Sequence, residues 1–216
     1  MMRGQRFELV GRYNCLDFVN TEFTNTDGGQ VELLRDFADL IEWLKESHLI
    51  NRKKTQHALK SCAGGDAARV YQGALALRGA LRAMAETLVA RQPVPRRSID
   101  AINETIAKCP GRVLLARRAG HFEEKTRLDL RKPEQLMVPI AQSASDLLCH
   151  GEPALVKRCA NPACRVFFYD TSKNHNGRWC SRRCGNRMRV AAHYRRRSTQ
   201  AALESVSRGQ RQSGRT

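Results

Sequence analysis

Nothing in this 216-residue chain approaches the roughly 18 consecutive apolar residues that a membrane helix requires. The opening stretch, MMRGQRFELVGRYN, has no apolar run of signal-peptide length. Motifs are missing as well. There is no glycine-rich phosphate loop, no GxSxG, no HExxH and no histidine pair at metal spacing. No repeat recurs at a solenoid period, and no heptad seam runs along the chain. These absences argue against a membrane protein, a secreted protein and the common hydrolases and nucleotide enzymes. The expectation is a cytoplasmic chain that is not an enzyme.

Acidic residues are scarce in one place. Residues 150–216 hold 15 Lys/Arg against 3 Asp/Glu, a net of +12. Residues 1–149 hold 23 against 18, a net of +5, and the whole chain carries +17. A basic module therefore follows a nearly balanced one, with a boundary near 150–157. Such a charge is an argument about partners, and a polyanion is the default one.

The balanced part reads as mostly helical. Cys15–Phe23 is a short apolar segment that suits a helix or a strand, and TNTDGGQVE a loop. Leu33, Leu34, Phe37, Leu40, Ile41 and Leu44 recur at three- and four-residue steps, which predicts a helix over Val31–Leu49. Asn51 suits the N-cap of a second helix through Lys60. A long helix is expected from about Asp66 to Arg91, with Val70, Leu77, Leu81, Met84 and Leu88 in one stripe. Ser98 suits the cap of a short helix through about Lys108. RVLLARRAGHFEEKTRLDL reads as two strands joined near Ala119–His121. A last helix starts at Pro133 or Pro139 and stops at Gly151. The expected fold class is thus α+β: a mainly helical domain over 1–150 with one β-hairpin packed against it, a small treble-clef-like finger over 155–198, and a basic, disordered tail over 199–216.

Cysteine is where the sequence becomes specific. Cys15, Cys62, Cys109 and Cys149 stand singly and read as small buried hydrophobes. The other four form two close pairs, Cys159-x4-Cys164 and Cys180-x3-Cys184, fifteen residues apart. In a reducing compartment this spacing is a metal signal, because each pair offers two thiolates on one turn of backbone. Four thiolates complete a zinc tetrahedron and leave no open position, so one structural Zn²⁺ is expected. His175 reads as an exposed loop residue. Val166, Phe167, Phe168 and Tyr169 form a strand with one side over the metal, and Trp179 covers it from the other side. Ser181 is placed to cap the helix that carries Cys184.

That helix is expected to run to about Arg197. Cys184, Met188 and Ala191 or Ala192 form its inward stripe. Arg182, Arg183, Asn186, Arg187, Arg189, Arg195, Arg196 and Arg197 then fall on other faces, with Arg178 just before the helix. The planar guanidinium suits phosphates and guanine edges, and asparagine suits adenine. These nine residues are the candidate nucleic-acid contacts.

WCSRRCGNR, with CANPAC and FFYDTSKN upstream, resembles the CGNR zinc finger of bacterial proteins at Cys159, Cys164, Cys180, Cys184, Gly185, Asn186 and Arg187. It departs at Arg182, where the family often has an apolar residue. CLDFVNT and DFADLIEWLKESHLI resemble the ABATE domain that usually precedes this finger. The resemblance covers about residues 8–197. It implies four-cysteine zinc binding, DNA binding and a role in stress-induced transcription regulation.

The leading expectation is a nucleoid-associated DNA-binding transcription regulator. An RNA-binding or ribosome-associated module and a zinc-stapled interaction adaptor are the alternatives. Exposed Tyr169 and Trp179 would favour single-stranded RNA, and packed ones duplex DNA. Asp17 and Asn20, three residues apart in an apolar segment, are candidates for a pocket that takes a small-molecule effector; a structural hydrogen-bond network is the alternative. A homodimer is compatible with palindromic recognition.

Overall fold

The computed structural model describes residues 6–24, 29–50, 65–109, 111–118, 120–127 and 132–213. The helix expected after Asn51, and Cys62, lie outside them. The mainly helical N-terminal part and the small cysteine-rich finger are both present, in line with the expected α+β class.

The chain opens with a six-residue helix, α1 (Asn14–Val19), whose side chains from Cys15 to Val19 are all buried. A short hairpin follows, β1 (Glu22–Thr24) with β2 (Gln30–Glu32), in the register Phe23 opposite Val31. The segment that reads as a loop is thus partly a hairpin, and the next helix starts later than its apolar steps imply. α2 runs Phe37–Glu46, capped by the Asp36 side chain accepting from the Asp39 N–H.

α3 (Gly65–Val89) is the central element, and its stripe of Val70, Leu77, Leu81, Met84 and Leu88 is buried as the periodicity requires. It also buries Arg78, 5% exposed, which donates to Glu32 and to Thr21 Oγ1 at 2.9 Å. That pair fastens the β1–β2 hairpin to α3. Charges this deep persist only when paired. α4 (Arg96–Ala107) begins with Pro95 as its N-cap. Ser98 does not cap it; its hydroxyl donates to the Ala80 carbonyl of α3 at 2.8 Å and clamps the two helices.

β3 (Arg112–Arg118) and β4 (His121–Arg127) form the expected hairpin. Leu114, Leu115 and Phe122 on it are exposed, so this hairpin does not lie flat on the core. A 3₁₀ turn, Pro133–Met137, leads into α5 (Val138–Cys149), which ends just before Gly151. Cys15 and Cys109 are buried, but Cys149, on the last turn of α5, is exposed, against the reading of it as core.

The finger begins with β5 (Val156–Arg158), paired antiparallel to β6 (Phe167–Tyr169). Alternation along β6 divides its side chains between two cores. Phe167 packs with α1, α3 and α5, whereas Phe168 packs with the cysteines. The last helix, α6, runs Arg182–Ser213. It passes well beyond Arg197, so residues 199–213 are helical rather than the disordered tail their composition implies.

Candidate metal centre and nucleic-acid interface

The four clustered cysteines come from three places: Cys159 after β5, Cys164 on the following knuckle, and Cys180 and Cys184 around the start of α6. Their sulfurs all lie within 4.8 Å of one another. Cys164 and Cys180 are 3.6 Å apart, and Cys180 and Cys184 3.7 Å. A tetrahedron with bonds near 2.3 Å has edges of about 3.8 Å, so the sulfurs already stand where zinc would place them. They are far beyond disulfide length, and none of the four is in a disulfide. The donor set fits the metal.

Electrostatics agrees. The contact between Cys164 and Cys180 brings the Cys164 thiol well below its ordinary range, while the same contact, then burial, pushes the Cys180 thiol up. Four neighbouring sulfurs cannot all ionise unaided. A divalent cation removes the conflict, since thiolates are what it binds. Four sulfur ligands leave no open position, which makes the site structural.

The surrounding residues hold the ligands in place. Asn161, 4% exposed, donates from Nδ2 to Cys184 Sγ at 3.4 Å, and its Oδ1 accepts the Ala163 N–H at 3.1 Å. The Cys164 N–H closes the knuckle on the Asn161 carbonyl at 2.9 Å. Ser181 Oγ accepts the Cys184 N–H at 3.4 Å, the expected cap. Val166, Phe168 and Trp179 pack around the sulfurs. So does Val10, from far upstream, a contact no local pattern announces. A Cβ at Gly185 would stand 3.2 Å from Trp179 Cδ1, so glycine there lets the indole lie against α6. His175 is exposed on its loop and joins no cluster of possible metal ligands among the described residues.

Asp170 braces the loop between the two cysteine pairs. Burial alone would raise its carboxyl. Lys157 Nζ at 2.6 Å, the Ser172 N–H at 2.9 Å and the Gly177 N–H at 2.7 Å outweigh that and hold it well below the usual range.

The finger is built into the rest of the chain. Asn20 donates to the Phe167 carbonyl and accepts from the Phe167 N–H, both at 2.8 Å, as another strand would. The Tyr169 N–H reaches the Gly11 carbonyl at 3.1 Å, and the Tyr169 ring packs edge-on against Tyr13 at 5.1 Å. Asp17 accepts the Gly11 N–H at 2.7 Å, and burial pushes its carboxyl up to about 6. Asp17 and Asn20 therefore serve two different backbone segments. Asn20 also borders clefts at the joint.

The nine candidate nucleic-acid residues are all exposed. They do not all share one surface. Arg182, Asn186, Arg189, Arg196 and Arg197 lie on the side of α6 away from Cys184 and Met188 by helical spacing, and Arg189 donates to Asn186 Oδ1 at 3.1 Å. Arg183 turns to the N-terminal segment and pairs with Glu8. Arg187 flanks it. Arg178 precedes the helix and stacks over Trp179, 5.2 Å from its centroid. Arg195 continues the Cys184–Met188–Ala191 row, so it departs from the outward face its residue type suggests; the three- and four-residue steps carry that signal. Val190 and Tyr194, 54% and 66% exposed, sit among the arginines and carry no charge that marks them in the sequence.

No curated protein matches the chain. Residues 156–197 match the CGNR zinc finger. Residues 14–151 match ABATE, described as "Putative stress-induced transcription regulator". With well over half its length so matched, the chain belongs to the ABATE family and carries a CGNR zinc finger whose four cysteines are built to hold one zinc ion.

Proposed function

We propose that this chain is a cytoplasmic transcription regulator that binds duplex DNA through the outward face of α6. One observation carries the reading. A helix of 32 residues, about 48 Å long and starting at the four-cysteine site, presents Arg182, Asn186, Arg189, Val190, His193 and Arg197 along one side. On the opposite side, Cys184 packs in the cysteine cluster and ties that helix to the finger. Arginine can hold phosphates or guanine edges, Asn186 adenine, and Val190 is the apolar contact a thymine methyl accepts. Tyr169 and Trp179 are engaged in packing, against Tyr13 and the cysteine cluster, which leaves no stacking platform for single-stranded RNA on those two rings.

The test is fluorescence anisotropy of zinc-loaded protein with duplex DNA and with single-stranded RNA over a salt series. Duplex affinity should exceed RNA affinity and fall steeply with salt. Arg182→Ala, Arg189→Ala or Arg197→Ala should each weaken duplex binding, and loss of a phosphate contact should lower the salt slope by about one. Equal or tighter RNA binding, or partner binding indifferent to salt, would overturn the reading.

A further inference from the structure

A cleft of about 630 Å³ lies where the N-terminal segment meets the finger. Its volume is in the range of sites that enclose small molecules. Phe7, Leu9, Val10, Phe23, Leu33 and Val166 supply an apolar floor. Arg6, Glu8, Arg183 and Arg187 stand at its polar edge. These charges are not equivalent. Arg6 is fixed by Asp39 and the Leu33 carbonyl. Glu8 and Arg183 neutralise one another. The Arg187 side chain makes no hydrogen bond or ion pair among the described residues. The cleft is thus more apolar than polar, with Asn20, Ser181 and the cysteines Cys164 and Cys184 also on its wall, and it holds one guanidinium unpaired among the described residues.

We infer that this cleft is a binding site for a small hydrophobic carboxylic acid, with its hydrocarbon on the Phe7–Leu9–Phe23 floor and its carboxylate on Arg187. A purely inorganic anion would leave the apolar floor wet. A cationic amphiphile would face Arg187 with the wrong sign. A carboxylate is matched by the guanidinium fork, and Arg183 can turn to it from Glu8. The consequence for DNA rests on the function proposed above. Arg183 and Arg187 lie on the first turns of α6, so an acid bound there removes positive charge from the end of the helix nearest the metal. Acid and duplex then oppose each other, reciprocally.

The test is calorimetric titration of the zinc-loaded full chain with octanoate, phenylbutyrate and naphthylacetate, and with the alcohols and amines of the same skeletons. At least one acid should saturate and bind about tenfold or more tighter than its alcohol and amine. Arg187→Gln should weaken it by about tenfold, and Leu9→Trp, which fills the floor, should abolish it with helix content and bound zinc retained. The site is overturned if no acid saturates below about 10 mM, if acids bind no better than alcohols and amines, or if Arg187→Gln changes nothing. Duplex binding is titrated separately. Acid binding by a chain that ignores duplex keeps the site and sinks the DNA reading; duplex binding without acid binding does the reverse.

Discussion

Two buried aspartates show how the same residue type is used in opposite ways. Asp170 is 2% exposed and receives donors from Lys157 and two backbone amides, which favour its charged form. Asp170→Asn should cost about 2 kcal/mol in urea unfolding at neutral pH, since hydrogen bonds to a charge are among the stronger ones. Its folded pKa is depressed, so this stability is present above the unfolded value and is lost as pH falls below about 4. Asp17 runs the other way. Burial raises its carboxyl to about 6, so the folded state holds a proton that the unfolded state releases near pH 4. Ionised Asp17 therefore weakens the fold as pH rises through this window. Asp17→Asn keeps an acceptor for the Gly11 N–H and has no charge to bury. Relative to the wild type, this variant should gain up to about 2 kcal/mol between pH 4.5 and 7, read as the difference of two urea titrations at fixed zinc. A flat difference across that range would mean that Asp17 stays hydrated.

Among the elements, α6 and β6 carry the site. Ser181→Ala removes the cap at the start of α6 and should cost about 1 kcal/mol, seen in thermal unfolding of the zinc-loaded chain. Asn20→Ala removes both bonds to the Phe167 backbone. It should speed hydrogen exchange at the Phe167 amide and cost about 2 kcal/mol, since two buried groups lose their partner. An unchanged exchange rate would show that β6 needs no help from α1. What the sequence shows of these elements follows from the range of each interaction. α3 is legible because its five-residue stripe is a local pattern, and the cysteine ligands because their two pairs are local as well. The start of α2 is not legible: Val31 continues the apolar steps of the helix, but pairs with Phe23 in an antiparallel ladder. Ser98 looks like a cap because of its neighbours, yet binds α3 eighteen residues back. Arg78 reads as one more surface charge on a helix and is instead a buried clamp on Glu32. Asn161 stands in plain view between two cysteines, but its bond to Cys184 depends on how the knuckle folds against α6.

For the whole molecule, the composition step near residue 150 marks a change of charge rather than a break in packing. Val156 and Phe167 of the finger belong to the same core as α1, α3 and α5, and Val10 of the first segment covers the metal site. Removing the metal should therefore be felt far from it. Chelation should lower the melting temperature of the helical part along with that of the finger, in one transition followed by circular dichroism. A helical transition that ignores the chelator would show two independent units. The cleft at the same joint is walled by both parts, so a ligand bound there, as proposed above, would touch the first turns of α6.

The account turns on sequence-specific duplex recognition by a zinc-held α6. The most direct measurement is selection of bound duplexes from a random-sequence pool by the zinc-loaded protein, beside Cys180→Ser, at two salt concentrations. The account predicts a defined motif that survives at the higher salt and is lost with Cys180→Ser. Binding that is tight only at low salt, selects no motif and is unaffected by Cys180→Ser would contradict it, and would reduce the arginines of α6 to a general polyanion patch.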